Sequence, residues 1–231
     1  YSTGDTMDIS VSFSEIVNVT GVPQLRLETG ETDVMINYRS GSGSSTLMFK
    51  FTVGLGNANN DLDYTDTTAL ILNGGSIRDV SGNNASLNLI PPGSTGSLSA
   101  NKNLVIDGAA PVISTVTSST LDSSYIVGDT IAINIVFSEV VTVTGAPTLT
   151  LETGQDDAVL YYNSGTGTSA LGFEYIVASG HLSNDLNYID SSAFSLNGGT
   201  VRDVASNDTE LFLPSVDSTN SLAGNKAIVC L

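Results

Sequence analysis

The residues of this chain that are best suited to chemistry are acids and an amide at the ends of apolar segments. They are Asp107, Glu139 and Asp203, with Asn207 four positions after the last acid. Carboxylate and amide oxygens are the ligands that calcium takes, and distant segments can supply them only where the fold brings them together. We therefore expect Asp107, Glu139 and Asp203 to surround a calcium ion, with Asn207 or a backbone carbonyl completing its coordination.

A weaker set of the same residue types occurs earlier in the chain. Glu15, Asp79 and Asn83 are the equivalents of the last three ligands, and no linker acid precedes them. We expect this second site to be incomplete and weaker. The alternative for both sets is that they are solvated turn residues, because Asp and Asn favour turns by hydrogen-bonding their own backbone.

Other reactive side chains give little indication of catalysis. His181 is the single histidine and lies in a turn-rich segment, which favours a surface residue over a general base. The glycines at 165 and 167 lack the lysine and helix that follow a phosphate-binding loop. Cys230, the single cysteine, has an inward position in the last strand and is expected to be a small buried apolar residue. The sequence predicts that the chain is not an enzyme.

An internal repeat positions all of these residues. A shift of 124 places aligns Tyr1–Asp107 with Tyr125–Leu231 without a gap, and about half of the aligned pairs are identical. The repeat predicts two domains, residues 1–107 and residues 108–231, joined by a linker at 107–111. Residues 108–124 have no counterpart ahead of Tyr1, so the first domain is expected to lack the opening strand predicted at Val112–Val116.

Alternation of apolar and polar residues is the dominant local pattern, and it is typical of β-strands with one buried face. Two equivalent sets of inward residues illustrate it. They are Met7, Ile9, Val11 and Phe13 in the first repeat, and Ile131, Ile133, Ile135 and Phe137 in the second. No segment has a helical period. Short strands separated by Gly, Asn, Asp and Ser turns predict an all-β protein of two tandem antiparallel β-sandwiches, of immunoglobulin-like or cadherin-like type.

Two tyrosines are candidates for a structural role. Asp61-Leu62-Asp63-Tyr64 could be a ligand loop, but the equivalent segment that ends at Tyr188 has lost one carboxylate. We interpret Tyr64 and Tyr188 as anchors at a strand corner.

Charge limits the partners that the chain can bind. It has 24 acidic residues against 7 basic ones, a net charge of -17. Nucleic acid and anionic membrane surfaces both need a basic face, so neither is an expected partner. No apolar run is long enough for a membrane-spanning helix, so direct membrane insertion is not expected.

Several repeated motifs together resemble a known family of repeats. They are Gly4-Asp5-Thr6, Phe13-Ser14-Glu15, Leu72-Asn73-Gly74-Gly75 and Arg78-Asp79-Val80, each with its counterpart 124 residues later. The motifs resemble the tandem immunoglobulin-like repeats of very large bacterial surface adhesins and hemagglutinin-like proteins. This resemblance implies a spacer segment of a longer secreted or cell-surface polypeptide, with neighbouring repeats as partners and calcium at the domain junctions.

The alternative to a spacer is a module that binds carbohydrate or another ligand directly during adhesion, with host or cell-surface glycans as partners. Such a module stacks sugars on exposed aromatic rings. Tyr161 and Tyr125 are the candidates for outward-facing rings, and tryptophan is absent from the chain.

Overall fold

The computed structural model describes all 231 residues and shows an all-β protein. It divides into two compact units, Tyr1–Ala109 and Ala110–Leu231. This division lies two residues beyond the boundary predicted from the repeat. The antiparallel strands pair into sheets in both units, but the finer immunoglobulin-like classification stays a prediction.

Unit 1 contains eight strands and one short helix. These are β1 Thr6–Thr20, β2 Gln24–Leu27, β3 Val34–Ser40, β4 Ser44–Thr52, β5 Ala58–Asn59, β6 Leu70–Ile71, β7 Ser76–Asp79, α1 Leu98–Asn101 and β8 Ile106–Asp107. The main sheet has the strand order β6-β2-β3-β4-β1-β7, and β5 pairs separately with β8.

Unit 2 repeats this order and adds strands to it. Its elements are β9 Ile113–Ser118, β10 Ser123–Tyr125, β11 Thr130–Thr144, β12 Thr148–Glu152, β13 Ala158–Ser164, β14 Thr168–Ile176, β15 Asn187–Tyr188, β16 Phe194–Ser195, β17 Thr200–Arg202, α2 Leu222–Asn225 and β18 Ile228–Cys230. The order β12-β13-β14-β11-β17 matches β2-β3-β4-β1-β7. β16 pairs with β12 as β6 pairs with β2. The additional pairings are those of β15 with β12 and of β9 with β11.

One long strand connects the two halves of each unit. In unit 1, residues Thr6–Ser12 of β1 pair with β4, the register then shifts, and Val17–Thr20 pair with β7. In unit 2, β11 pairs with β14 up to Val136, the register shifts, Val141 pairs once more with β14, and Thr142–Thr144 then pair with β17. A local irregularity of this kind bends a strand and lets it contribute to both layers of a sandwich.

The alternating apolar residues face the core, as predicted, but their burial differs between the units. All four members of the β11 set are at most 3 % exposed, whereas in β1 only Ile9 is fully buried. Met7, Val11 and Phe13 pack against the core of unit 1 yet stay partly accessible to solvent.

Two short helices were missed by the sequence analysis. α1 and α2 are four residues each, too short to produce a helical period, and each begins after a serine that caps it. The hydroxyl of Ser97 accepts a hydrogen bond from the amide of Ala100, and that of Ser221 accepts one from Gly224. Neither helix has the length and apolar character needed to cross a membrane.

The second strand of unit 2, β10, and its last strand, β18, run side by side in the same direction. Ser123–Tyr125 of β10 pair in parallel with Ile228–Cys230 of β18. Unit 1 has the same arrangement in reduced form, because Ser2 forms a parallel bridge with Asp107. The segment around Ser2 in unit 1 and its equivalent in unit 2, β10, are therefore each paired with the end of their own unit.

Tyr64 and Tyr188 are corner anchors, as predicted. Both rings are buried, and each hydroxyl donates a hydrogen bond to a backbone carbonyl 26 residues further along the chain. The acceptors are Ile90 and Pro214. Burial raises the pKa of Tyr188 to about 12, so this hydroxyl stays protonated and able to donate at any physiological pH.

Removal of the Tyr188 hydroxyl should weaken unit 2. Tyr188→Phe leaves a buried carbonyl without its donor, so we expect a loss of about 1 to 2 kcal/mol in the free energy of unfolding. Urea denaturation followed by circular dichroism measures this loss. The control is Tyr161→Phe, since Tyr161 is 61 % exposed; equal effects of the two substitutions would contradict the anchoring role.

A buried carboxylate next to the tyrosine anchor distinguishes unit 1 from unit 2. Asp63 is 7 % exposed and accepts hydrogen bonds from Ser99 Oγ (2.7 Å) and from the amides of Gly93 (3.0 Å) and Tyr64 (2.9 Å). Burial by itself would raise the pKa of Asp63, but these hydrogen bonds outweigh it and hold the pKa below its usual value. In unit 2 the equivalent residues are Asn187 and Ala223, so the acid and its hydroxyl donor are replaced together.

This difference predicts that acid destabilises unit 1 through Asp63. A folded-state pKa below that of the unfolded chain gives stability that is complete above about pH 4 and is lost as the pH falls through the folded pKa. The double variant Asp63→Asn, Ser99→Ala carries the unit 2 pair and should lose this part of the pH dependence. Amide exchange at pH 2 to 6 measures each unit separately, and an unchanged profile in the double variant would refute the assignment.

Candidate metal site in the second unit

The candidate ligands of unit 2 lie where β11 passes from one partner strand to the next. Glu139 was expected in a loop, but it lies within β11, in the irregular stretch between Val136 and Val141, the two residues on either side of the register shift that pair with β14. The expectation was wrong because the strand continues through the irregularity. Glu139 leaves the ladder there, and its side chain is half-buried.

Asp203 follows directly after β17 and begins a tight loop. The backbone N–H of Asp203 donates to the carbonyl of Asn207 (3.2 Å), and the amide of Ser206 donates to the carbonyl of Asp203 (3.2 Å). Ser206 has φ +74°, a left-handed conformation that closes the loop. The pairing of Thr142 with Arg202 places Asp203 beside the part of β11 that contains Glu139.

Within unit 2, the structure brings Glu139 and Asp203 together. A carboxylate oxygen of Glu139 lies within 4.8 Å of one of Asp203, and Asp203 is only 4 % exposed. Two ionised carboxylates at this separation repel each other, and the repulsion grows as solvent is excluded. A divalent cation between them would remove it, which is the arrangement that calcium sites use.

Asn207 acts first as a clamp of this loop. Its backbone N–H donates to Asp203 Oδ1 (2.8 Å) and its side-chain Nδ2 donates to Asp203 Oδ2 (2.8 Å). An amide nitrogen does not bind calcium, so a ligand from the Asn207 side chain would be its Oδ1 atom. The predicted alternative is a backbone carbonyl.

Asp107 lies at the end of unit 1, as the second residue of β8. One of its carboxylate oxygens accepts the amide of Ala109 (3.2 Å), so the side chain shapes the segment that leads out of the unit. Further along, the carbonyl of Pro111 accepts Thr209 Oγ1 (2.8 Å) and the amide of Glu210 (3.0 Å). The first residues of unit 2 are thus hydrogen-bonded to the segment that follows the Asp203 loop in the sequence.

The equivalent residues of unit 1 form the loop but not an acidic cluster. Asn83 donates to both oxygens of Asp79, at 2.8 Å from its backbone and 2.7 Å from its side chain. These hydrogen bonds hold the pKa of Asp79 below its usual value. Glu15 is exposed, and no group of three acids within ligating distance includes Glu15 or Asp79.

The remaining candidate residues have identifiable structural roles. The ring of His181 stacks on Tyr175 and its Nδ1 lies 3.0 Å from the tyrosine hydroxyl, so the predicted surface residue is in fact packed and half-buried. Cys230 is buried, as predicted, and burial raises the pKa of its thiol. Tyr161 is exposed, but Tyr125 is half-buried and donates its hydroxyl to the carbonyl of Leu121 (2.7 Å).

Comparison with protein-family models, with curated proteins and with solved structures found no match to this chain. The resemblance to the repeats of surface adhesins therefore stays a prediction that rests on the motifs themselves.

The clamp predicts unequal effects of one substitution in the two units. Asn207→Ala leaves an oxygen of a buried carboxylate without its donor, so we expect a loss of about 1 to 3 kcal/mol in the stability of unit 2. Asn83→Ala is the matched control in unit 1, where the Asp79 loop is more exposed and water can replace the amide. Thermal unfolding of both variants checks this, and a larger loss for Asn83→Ala would show that burial is not the deciding factor.

Proposed function

We propose that the chain is a spacer segment of a secreted or cell-surface polypeptide, in which repeated β-domains in series hold a separate binding region at a distance. The observation that supports this most is the duplication itself. The strand order, the change of partner in the long strand, the tyrosine anchor and the Asp–Asn loop all recur after 124 residues. A ligand site has no need to be duplicated with its scaffold, whereas a spacer gains length from each copy.

We further propose that calcium binds at the junction and stiffens it. Glu139 and Asp203 supply two carboxylates in unit 2, and Asp107 is the candidate third ligand. Chain length supports this choice, because Asp107 precedes Pro111 by four residues and can be no more than roughly 14 Å from it between Cα atoms. Pro111 is fixed to Thr209 and Glu210, which follow the Asp203 loop.

A calcium ion held by ligands from both sides of the linker would act through electrostatics. It would cancel the repulsion between acids in a protein with a net charge of -17 and restrict rotation about the short segment after Asp107. Calcium that binds only the folded form also stabilises it by linkage. Stiffening and stabilisation should therefore appear together over the same range of calcium concentration.

Isothermal titration calorimetry with calcium on the full chain tests the ligand set. Glu139→Gln keeps the shape of the side chain and removes one charged ligand, so we expect a loss of calcium affinity of at least about tenfold. Glu15→Gln is the matched control at the equivalent position of unit 1 and should leave the affinity unchanged. No heat of binding at millimolar calcium would refute the metal site.

Asp107→Asn separates the metal site from the spacer function. If calcium joins the two units, this variant should lose both the affinity and the calcium-dependent rise in maximum dimension measured by small-angle X-ray scattering. If it binds calcium as the unmodified chain does, the ion belongs to unit 2 alone and the stiffening mechanism is wrong.

A further inference from the structure

In unit 2, strand β9 occupies a groove between β11 and the segment around α2. It pairs antiparallel with β11, with Val116 opposite Ile135 and Ile113 opposite Phe137. On its other side, the amide of Val116 donates to the carbonyl of Asn220 (3.0 Å), and Asn225 Nδ2 donates to the carbonyl of Val116 (2.8 Å). β9 is thus hydrogen-bonded along both edges.

Unit 1 has the walls of this groove but no strand in it. Under the 124-residue shift, the wall formed by Ile133–Phe137 corresponds to Ile9–Phe13 of β1, which pairs only with β4 and β7. The opposite wall corresponds to the segment from Gly96 to Lys102. A groove of about 660 Å³ lies between these walls, and both contribute to its lining.

The apolar side chains of this groove are only partly covered. Ile131, Ile135, Phe137 and Leu222 in unit 2 are 0 to 3 % exposed. Their counterparts in unit 1 are all half-buried: Met7, Val11 and Leu98, which line the groove, and Phe13, which follows on β1. An open strand edge beside an apolar groove is the surface that an added β-strand recognises, with the backbone giving affinity and alternate side chains giving specificity.

Unit 1 also has the polar side chains that bind β9 and the residues after it in unit 2. Asn101 is exposed and is equivalent to Asn225, which in unit 2 also accepts the hydroxyl of Thr117 (2.6 Å). Lys102 is exposed and is equivalent to Lys226, whose Nζ donates to the carbonyl of Thr120 (3.2 Å) and lies 3.7 Å from Asp122. Lys102 could therefore form an ion pair with an acidic residue that follows the bound strand.

We propose that this groove of unit 1 is a receptor for an added β-strand with the chemistry of β9. The occupant is an extended peptide with an isoleucine and, three residues later, a valine among serines and threonines, followed by an acidic residue. It runs antiparallel to Ile9–Phe13, its apolar side chains cover Val11 and Phe13, and its acid meets Lys102. This site is independent of calcium and of the spacer function.

A synthetic peptide of residues 110–122 tests the proposal on the intact chain. With a fluorescent label, its binding should raise the anisotropy in a saturable way, and the amides of Ile9–Phe13 should become protected from hydrogen exchange. The same peptide with Val116→Asp places a charge in the groove and should bind at least about tenfold more weakly. In the protein, Asn101→Ala should weaken binding, whereas the exposed control Asn60→Ala should not.

A covalent version gives a second readout. Residues 111–124 added directly before Tyr1 reproduce the spacing that precedes Tyr125, so the added strand should raise the melting temperature of unit 1. An otherwise identical addition with aspartate at the positions of Ile113 and Val116 should give no rise. Absence of both peptide binding and stabilisation would overturn the proposal. Concentration-dependent dimerisation that protects the same amides without peptide would also overturn it, because the groove would then serve a second copy of the chain.

Discussion

The architecture of each unit depends on a fifteen-residue strand that cannot keep one partner along its whole length. The first half of β1 pairs with β4, and that of β11 with β14 and β9, whereas after the irregularity β1 pairs mainly with β7 and β11 with β17. This forced change links the layers, fixes where β7 and β17 begin, and brings Glu139 next to Asp203. The candidate metal site thus lies at the point where backbone pairing is interrupted and side chains are able to leave the ladder.

The duplicated units show which contacts the fold requires and which can change. The backbone of the Asp–Asn loop and the tyrosine anchor are the same in both units, so they belong to the scaffold. The contact beneath the tyrosine differs, since Asp63 with Ser99 in one unit becomes Asn187 with Ala223 in the other. Both versions keep hydrogen-bond partners, because Asp63 also accepts from the amides of Gly93 and Tyr64. In unit 2, Asn187 donates to the carbonyl of Val216 and accepts from the amide of Tyr188.

Much of the fold could be predicted from the sequence, because alternation reveals which face of a strand is buried. The residues Leu25, Leu27, Leu47, Phe49 and Phe51 are fully buried, as their spacing indicates. Alternation does not reveal whether a further strand covers that face, so Val11 and Ile135 have the same pattern and different burial. The position of Glu139 inside a strand also could not be predicted, because a change of hydrogen-bonding partner leaves no mark in hydropathy. Of the candidate site, the sequence identified the acids, but it could not show that both oxygens of Asp203 already accept hydrogen bonds from Asn207.

The parallel pairing of β10 with β18 determines how this strand pair would respond to a pulling force. The chain reaches the pair after β9, enters it at one end and leaves it at the opposite end, because the two strands point in the same direction. Tension on the two ends would therefore slide the strands along each other and strain their hydrogen bonds simultaneously. In an antiparallel pair at this place, the force would act at one end, and the hydrogen bonds would break one after another from that end. The bridge between Ser2 and Asp107 gives unit 1 the same geometry, in a segment that also contains a candidate calcium ligand.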